Sequence, residues 1–146
     1  MSNLQIRMKK RLLDFEEVFI KYEKFINDLS QKEPSELEKM GFIQYFVSTY
    51  ELGYRLFYDL LRMHNVHVVL KVPKAIIKEC AYAGFFEDAD MSAEIYLDMA
   101  RDRNIATHIF QKDKFDSIFQ KVTGVYFEQF KKQHKYFSKA LEEFEA

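Results

Sequence analysis

An all-α protein, an up-down antiparallel four-helix bundle with one additional short helix, is the fold that three observations predict. Apolar residues recur at alternating steps of four and three over long stretches, which keeps one seam on one side of a helix. Four Gly and two Pro among 146 residues leave too little turn material for a sandwich or barrel. No repeat, low-complexity run or linker divides the chain, so residues 1–146 read as a single domain. Fifteen Phe and nine Tyr also carry more apolar surface than a disordered chain would.

Each element follows from its pattern. Met8, Leu12, Phe15, Phe19, Tyr22, Ile26 and Leu29 form the seam of a first helix, widened by Leu13, Val18 and Phe25. That helix must stop before Pro34, because the residue preceding a proline is pushed out of helical geometry. Ser35, followed by Glu36 and Glu38, then caps a second helix. Its seam is Phe42, Phe46, Thr49, Gly53, Leu56, Leu60 and Met63, with Gly53 a place where another helix could approach closely. A short polar link between two such helices implies an antiparallel hairpin. The stretch Asn65–Pro73 alternates β-branched residues, but a lone strand has nothing to pair with, so it reads as a loop. Pro73 suits the first turn of a third helix over 73–84, and Gly84 its end. After the acidic turn at 87–90, a fourth helix over 91–103 would bury Met91, Ile95, Leu97 and Met99. One last helix is expected from Asp113 to Ala140, with Phe115, Ile118, Phe119, Val122, Tyr126, Phe130 and Phe137 inward.

Charge and composition narrow the function. The formal charge is −1, so no global positive field argues for nucleic acid, and an RNA contact would have to be local. Lys112, Lys114, Lys121, Lys131, Lys132, Lys135 and Lys139 make the C-terminal region a local candidate. The surplus of Phe and Tyr is expected to lie partly in a dimer or partner interface. Cys80 has no second cysteine to join, which fits a reducing, cytoplasmic setting, and the sequence offers neither a secretory signal nor a membrane span.

Several chemistries are excluded or weakened. The glycines at 41, 53, 84 and 124 are too scattered for a phosphate loop, and the chain contains no Gly-Ser pair of the kind nucleotidyl transfer would need. Any transferase chemistry is therefore expected from another polypeptide. His64 and His67 straddle a helix end without supporting ligands, and Glu87, Asp88 and Asp90 lack calcium-loop spacing, so neither metal nor cofactor is expected. Cys80, among Ile77, Ala81 and Ala83, reads as a buried structural thiol.

The segment 98–110 places Arg103, Asn104 and His108 around the end of a helix and the loop after it. An Arg can hold a phosphate through its fork, and a His can move a proton near neutral pH. Together they could cleave RNA without a metal: a base takes the ribose 2′-OH proton, and the cation steadies the charge that develops on phosphorus oxygens. The simpler alternative pairs the Arg with Asp98 or Asp102 and leaves the His satisfied in a loop.

Three pieces in order, 44–61, 72–88 and 96–110, resemble the HEPN superfamily. More narrowly they resemble the helical partner of minimal nucleotidyltransferases, the nucleotidyltransferase substrate-binding protein, over about Phe42 to Tyr136. The resemblance rests on the Thr49-Tyr50-Glu51-Leu52 helix, the short middle helix, and the motif Asp102-Arg103-Asn104 followed by His108. It implies a homodimer that brings two Arg/His sets into one cleft, and a separate small nucleotidyltransferase as partner, often as a toxin–antitoxin pair. It further implies that Arg103 binds phosphate, His108 acts as acid and base, and Asn104 holds the loop. Glu51, Arg55 and Asp102 are then the expected contacts to an RNA or nucleotide substrate. Glu51 and Arg55, four apart, could equally be a surface ion pair. Related toxins carry a Tyr two residues after the motif His that the partner modifies with AMP. Phe110 stands there, so modification at that position is excluded.

Overall fold

The computed structural model describes residues 2–29, 33–108 and 112–145, without the side chains of residues 108, 112 and 145. Among the described residues the regular structure is entirely helical: α1 (Asn3–Asp28), α2 (Glu36–Met63), α3 (Pro73–Tyr82), α4 (Phe85–Asp88), α5 (Ala93–His108), α6 (Lys112–Val122) and α7 (Val125–Glu145). Two of the helix starts are reciprocal capping boxes. Ser2 and Gln5 open α1, five residues earlier than the apolar seam suggests, and Ser35 and Glu38 open α2 as expected. Each cap contributes about 1 kcal/mol by satisfying N–H groups the helix cannot. Pro73 starts α3, and Gly84 takes a left-handed φ of 86° that a side chain would strain.

Cross-helix contacts fix the directions. Arg11 meets Asp59 while Phe25 meets Phe42, so α1 and α2 run antiparallel. Phe46 stacks on Tyr126 and Phe57 packs edge-on to Phe137, so α2 and α7 run parallel. Tyr96 reaches Phe130 while Asp102 reaches Tyr126, so α5 opposes α7. Helix α2 therefore lies at the centre, with α1, α3, α5, α6 and α7 against it. It buries its expected seam from Phe42 to Leu60, with Met63 only half-buried, and a second one through Tyr50 and Phe57.

Four expectations are corrected. The last helix is broken: Thr123–Gly124 separates α6 from α7. Thr and Gly are poor helix formers, Thr123 Oγ1 turns back to Phe119 O at 3.1 Å, and the Tyr22 hydroxyl takes the Val122 carbonyl released at the break. A Cβ on Gly124 would sit 3.1 Å from Gln120 O. Helix α5 starts later and runs longer than 91–103. Ser92 caps its start, and Thr107 bonds back to Arg103 O at 3.1 Å, so Arg103 and Asn104 lie inside the helix rather than at its end. Its buried face is Tyr96, Met99 and Asp102, whereas Ile95 and Leu97 are only half-buried. Leu13, expected to widen the α1 seam, is exposed.

Most of the phenylalanines pack inside. Among phenylalanines with described side chains, only Phe25 and Phe144 are exposed. Ring follows ring between helices, as in Phe57–Phe86 (4.7 Å) and Phe19–Phe127 (5.5 Å), while Tyr82, Phe25 and Phe144 stay at the surface. Gly53 admits a close neighbour, as expected. Gln133 of α7 donates to its carbonyl at 2.8 Å and accepts from the Tyr96 hydroxyl, and a Cβ there would lie 2.9 Å from Gln133 Oε1. Among the described residues no helix is long and apolar enough to cross a membrane.

Candidate functional site

Helix α5 presents two polar faces. Asp102 points inward, about 3% exposed, where it accepts from the Tyr126 hydroxyl at 2.5 Å and from Lys121 Nζ at 3.1 Å. One residue on, about 100° around the axis, Arg103 points toward α2. Its guanidinium pairs with the Glu51 carboxylate and donates to Asn104 Oδ1 at 3.1 Å. The pairing differs from both sequence alternatives. Asp98 and Asp102 are partnered by Arg101 instead, at 3.4 and 3.8 Å, and Glu51 pairs with Arg103 rather than with Arg55.

Beside the Arg103–Glu51 pair lies a cavity of ≈ 650 Å³ between α2, the start of α3 and α5. Tyr50 comes from α2, Val72, Pro73 and Lys74 from the α3 start, and Arg101, Arg103 and Asn104 from α5. No side chain caps α3, Pro73 has no N–H and Ile76 N–H bonds Val72 O, so the Lys74 and Ala75 N–H groups are left without an intrahelical acceptor. Two further donors lack partners: the Tyr50 hydroxyl and Arg103 Nε are both buried and unbonded. Burial pushes the Tyr50 hydroxyl well above the ordinary tyrosine range, reinforced by Glu51 and Tyr54 and opposed by Arg103. It therefore stays protonated, with its O–H able to donate.

The structure thus unites Glu51, Arg103 and Asn104 and separates other expected residues from them. Asp102 belongs to the buried network with α6 and α7. Arg55 lies on a different groove, between α1 and α2, with Arg7, Lys10 and Arg11, and its guanidinium stands 5.9 Å over the Tyr54 ring. His108 closes α5, and its side chain lies outside the described residues, as does Phe110. Of the C-terminal lysines, Lys121 and Lys132 are tied to Asp102 and Asp90, while Lys114, Lys131, Lys135 and Lys139 are exposed across two helices. Among the described residues no group of three His, Cys, Asp or Glu is placed to hold a metal ion. His64 and His67 are exposed, and the His64 ring bonds Leu60 O at 3.0 Å. Cys80 is buried, donates to Phe57 O at 3.6 Å, and has its thiol pushed well up by burial, which suits a structural thiol.

Sequence reasoning missed Tyr50, Lys74 and Arg101 as cavity residues. Tyr50 lay outside the expected α2 seam, yet its hydroxyl was the signal, since a buried tyrosine oxygen needs a partner. It also missed a second ionic site, where Arg11 bonds Asp59 Oδ1 at 2.7 Å while Asp59 Oδ2 stays unbonded.

Residues 10–139 match the family described as nucleotidyltransferase substrate binding protein like. No curated protein matches the chain. The family match covers most of the sequence, and the chain belongs to that family.

Proposed function

We propose that this family member is the helical substrate-binding subunit of a two-component minimal nucleotidyltransferase system of toxin–antitoxin type. In this reading it is a cytoplasmic homodimer built from one HEPN-like domain, an up-down four-helix bundle with short additional helices. The transferase chemistry belongs to the partner chain. One observation carries the reading: all three sequence pieces that resemble the family contribute to a single cavity, Tyr50 from the first, Val72–Lys74 from the second and Leu97–Asn104 from the third. A subunit that presents substrate needs such a cleft and does not need a phosphate loop of its own.

The test is co-purification from native cells at native expression. A small nucleotidyltransferase should be recovered with the protein, and Arg103→Glu should reduce that recovery or abolish substrate transfer by the pair. Recovery of the protein alone would count against the reading.

A second reading, a metal-independent endoribonuclease, is favoured by Arg103, Asn104 and His108 sharing the last turns of α5. Positions 103 and 108 are five residues apart, about 140° around the helix axis. A joint Arg/His site is therefore more readily assembled across two copies than within one. The expected outcome is RNA cleavage by the purified dimer without added metal and its loss in His108→Ala with the fold intact. Equal cleavage by both proteins would sink this second reading.

A further inference from the structure

Helix α1 carries a second apolar stripe that the fold leaves uncovered. Ile6, Leu13 and Ile20 are 54%, 57% and 56% exposed and recur every seven residues. At about 100° per residue, Leu13 lies about 160° around the axis from buried Phe15. Single surface aliphatics are ordinary, whereas a stripe held in register over two heptads is the pattern by which one helix seats on another. Charged residues flank the stripe, Lys10 and Glu17 on one side, Lys9 and Glu16 on the other. On each flank the base comes first and the acid follows seven residues later, with Leu13 about midway.

We propose that this face of α1 is a contact between two copies of the chain, seated antiparallel with the two-fold axis at Leu13. The stripe is symmetric about that residue. Ile6 then meets Ile20 of the second copy, and Leu13 meets its own equivalent. Charge selects the direction. Antiparallel pairing brings each flank against the same flank of the other copy, so Lys10 comes level with Glu17 and Lys9 with Glu16. Parallel pairing would set Lys10 beside the second copy's Lys9 and Glu17 beside its Glu16, like charge against like. Glu16 also bonds the His134 ring at 3.0 Å, so Lys10 and Glu17, both exposed, carry most of the selection. A self-complementary contact of this kind closes into a dimer. A seam one helix wide stands at the small end of specific interfaces, so its dissociation constant should be on the order of 10 μM. The seam contains no residue of α3 or α5 and does not rest on the proposed substrate-binding role. It differs from the joint Arg/His cleft, which needs a contact through the end of α5, and a chain using both would assemble beyond a dimer.

The experiment is analytical sedimentation of the full chain and of variants on α1. The original chain should self-associate. Leu13→Glu sets two like charges on the axis and should weaken association at least about tenfold. Lys10→Glu alone and Glu17→Lys alone should each weaken it several-fold, and mixing the two variants should restore it, because each supplies the charge the other lacks. Side chains seven apart on one helix are not neighbours, so no contact within a chain gives that rescue. Mild oxidation should link Leu13→Cys to itself and Ile6→Cys only to Ile20→Cys, while Cys80 is buried. All the substituted positions are exposed, so helix content by circular dichroism should stay unchanged. An original chain that stays monomeric at about 200 μM, association unchanged in Leu13→Glu, or a mixture no stronger than its components overturns the proposal. Lost recovery of a nucleotidyltransferase in Leu13→Glu with self-association unchanged assigns the face to that other chain and likewise overturns it. No nucleotidyltransferase recovered with the original chain, while the mixture still rescues, counts against the substrate-binding role and leaves this contact standing.

Discussion

Asp102 and Arg103 are adjacent on α5, and the regions they enter are built on opposite terms. Around Asp102 the buried polar groups close on one another: the carboxylate takes the Tyr126 hydroxyl and Lys121, with Arg101 at its edge. Around Arg103 the account stays open. A guanidinium nitrogen and the Tyr50 hydroxyl are buried without partners, a cavity adjoins them, and the ion pair of Arg103 with Glu51 is partly exposed at both ends. A buried network that satisfies itself serves the fold, whereas one that leaves donors unfilled gives up stability that a ligand can return. The contrast lets structural and functional residues on one helix be told apart by counting partners.

The largest effect that would sharpen this contrast is on the closed side. Asp102→Ala leaves the Tyr126 hydroxyl unfilled in the interior and turns the partly exposed Lys121 out to solvent, so we expect a loss of about 2 kcal/mol in urea denaturation. A loss below about 1 kcal/mol would show that Asp102 is not holding the α5–α6–α7 junction.

Next in size is the comparison of two buried tyrosines. Tyr126→Phe removes a made hydrogen bond and should cost about 1–2 kcal/mol. Tyr50→Phe removes a hydroxyl that has no partner in the empty protein, so its stability should stay within about 0.5 kcal/mol of the original or rise. Equal losses in the two variants would break the distinction between the regions.

The smallest effect concerns Asp59, which stands between the two cases, with Oδ1 bonded to Arg11 and Oδ2 unbonded. Burial raises its pKa above 3.8, against the opposing pull of Arg11, Arg7 and Arg62. A carboxyl with a raised folded pKa holds its proton longer in the native state than in the unfolded one. Its contribution is therefore complete below the unfolded pKa and is lost as pH rises through the folded value. Asp59→Asn should flatten this part of the stability profile, measured by urea midpoints from about pH 3 to 7. An unchanged slope would mean that burial is offset fully by the arginines.

Much of the fold was legible because its signals are local. The α1 and α2 seams and the Ser35–Glu38 box read directly from spacing, as did Pro73 at the α3 start and Gly84 at its close. The break at Thr123–Gly124 was hidden by an apolar pattern that continues across it. Thr123 and Gly124 weaken the helix locally, and a distant partner, the Tyr22 hydroxyl, donates to the carbonyl the helix gives up. For the site, Glu51, Arg103 and Asn104 were reached through the motif, but their mutual arrangement was not. The i, i+4 rule favoured Glu51 with Arg55, whereas α5 brings Arg103 to Glu51 from outside the helix. Tyr50 was missed because it lies one position off the α2 seam, and spacing does not record whether a hydroxyl is satisfied.

By itself the sequence determined the all-helical class, the helix ends set by capping residues, and the identity of the charged groups available for chemistry. Periodicity and capping depend on neighbours within a few residues, so they are written along the chain. Only the tertiary structure decided that Asp102 is consumed by Tyr126 and Lys121, that Arg55 and Arg103 face different grooves, and that Tyr50 and Arg103 are left with unfilled donors. Partnership between side chains depends on which helices meet and at what rotation. A turn of about 100° per residue separates a carboxylate that holds the bundle together from a guanidinium that borders an open cavity.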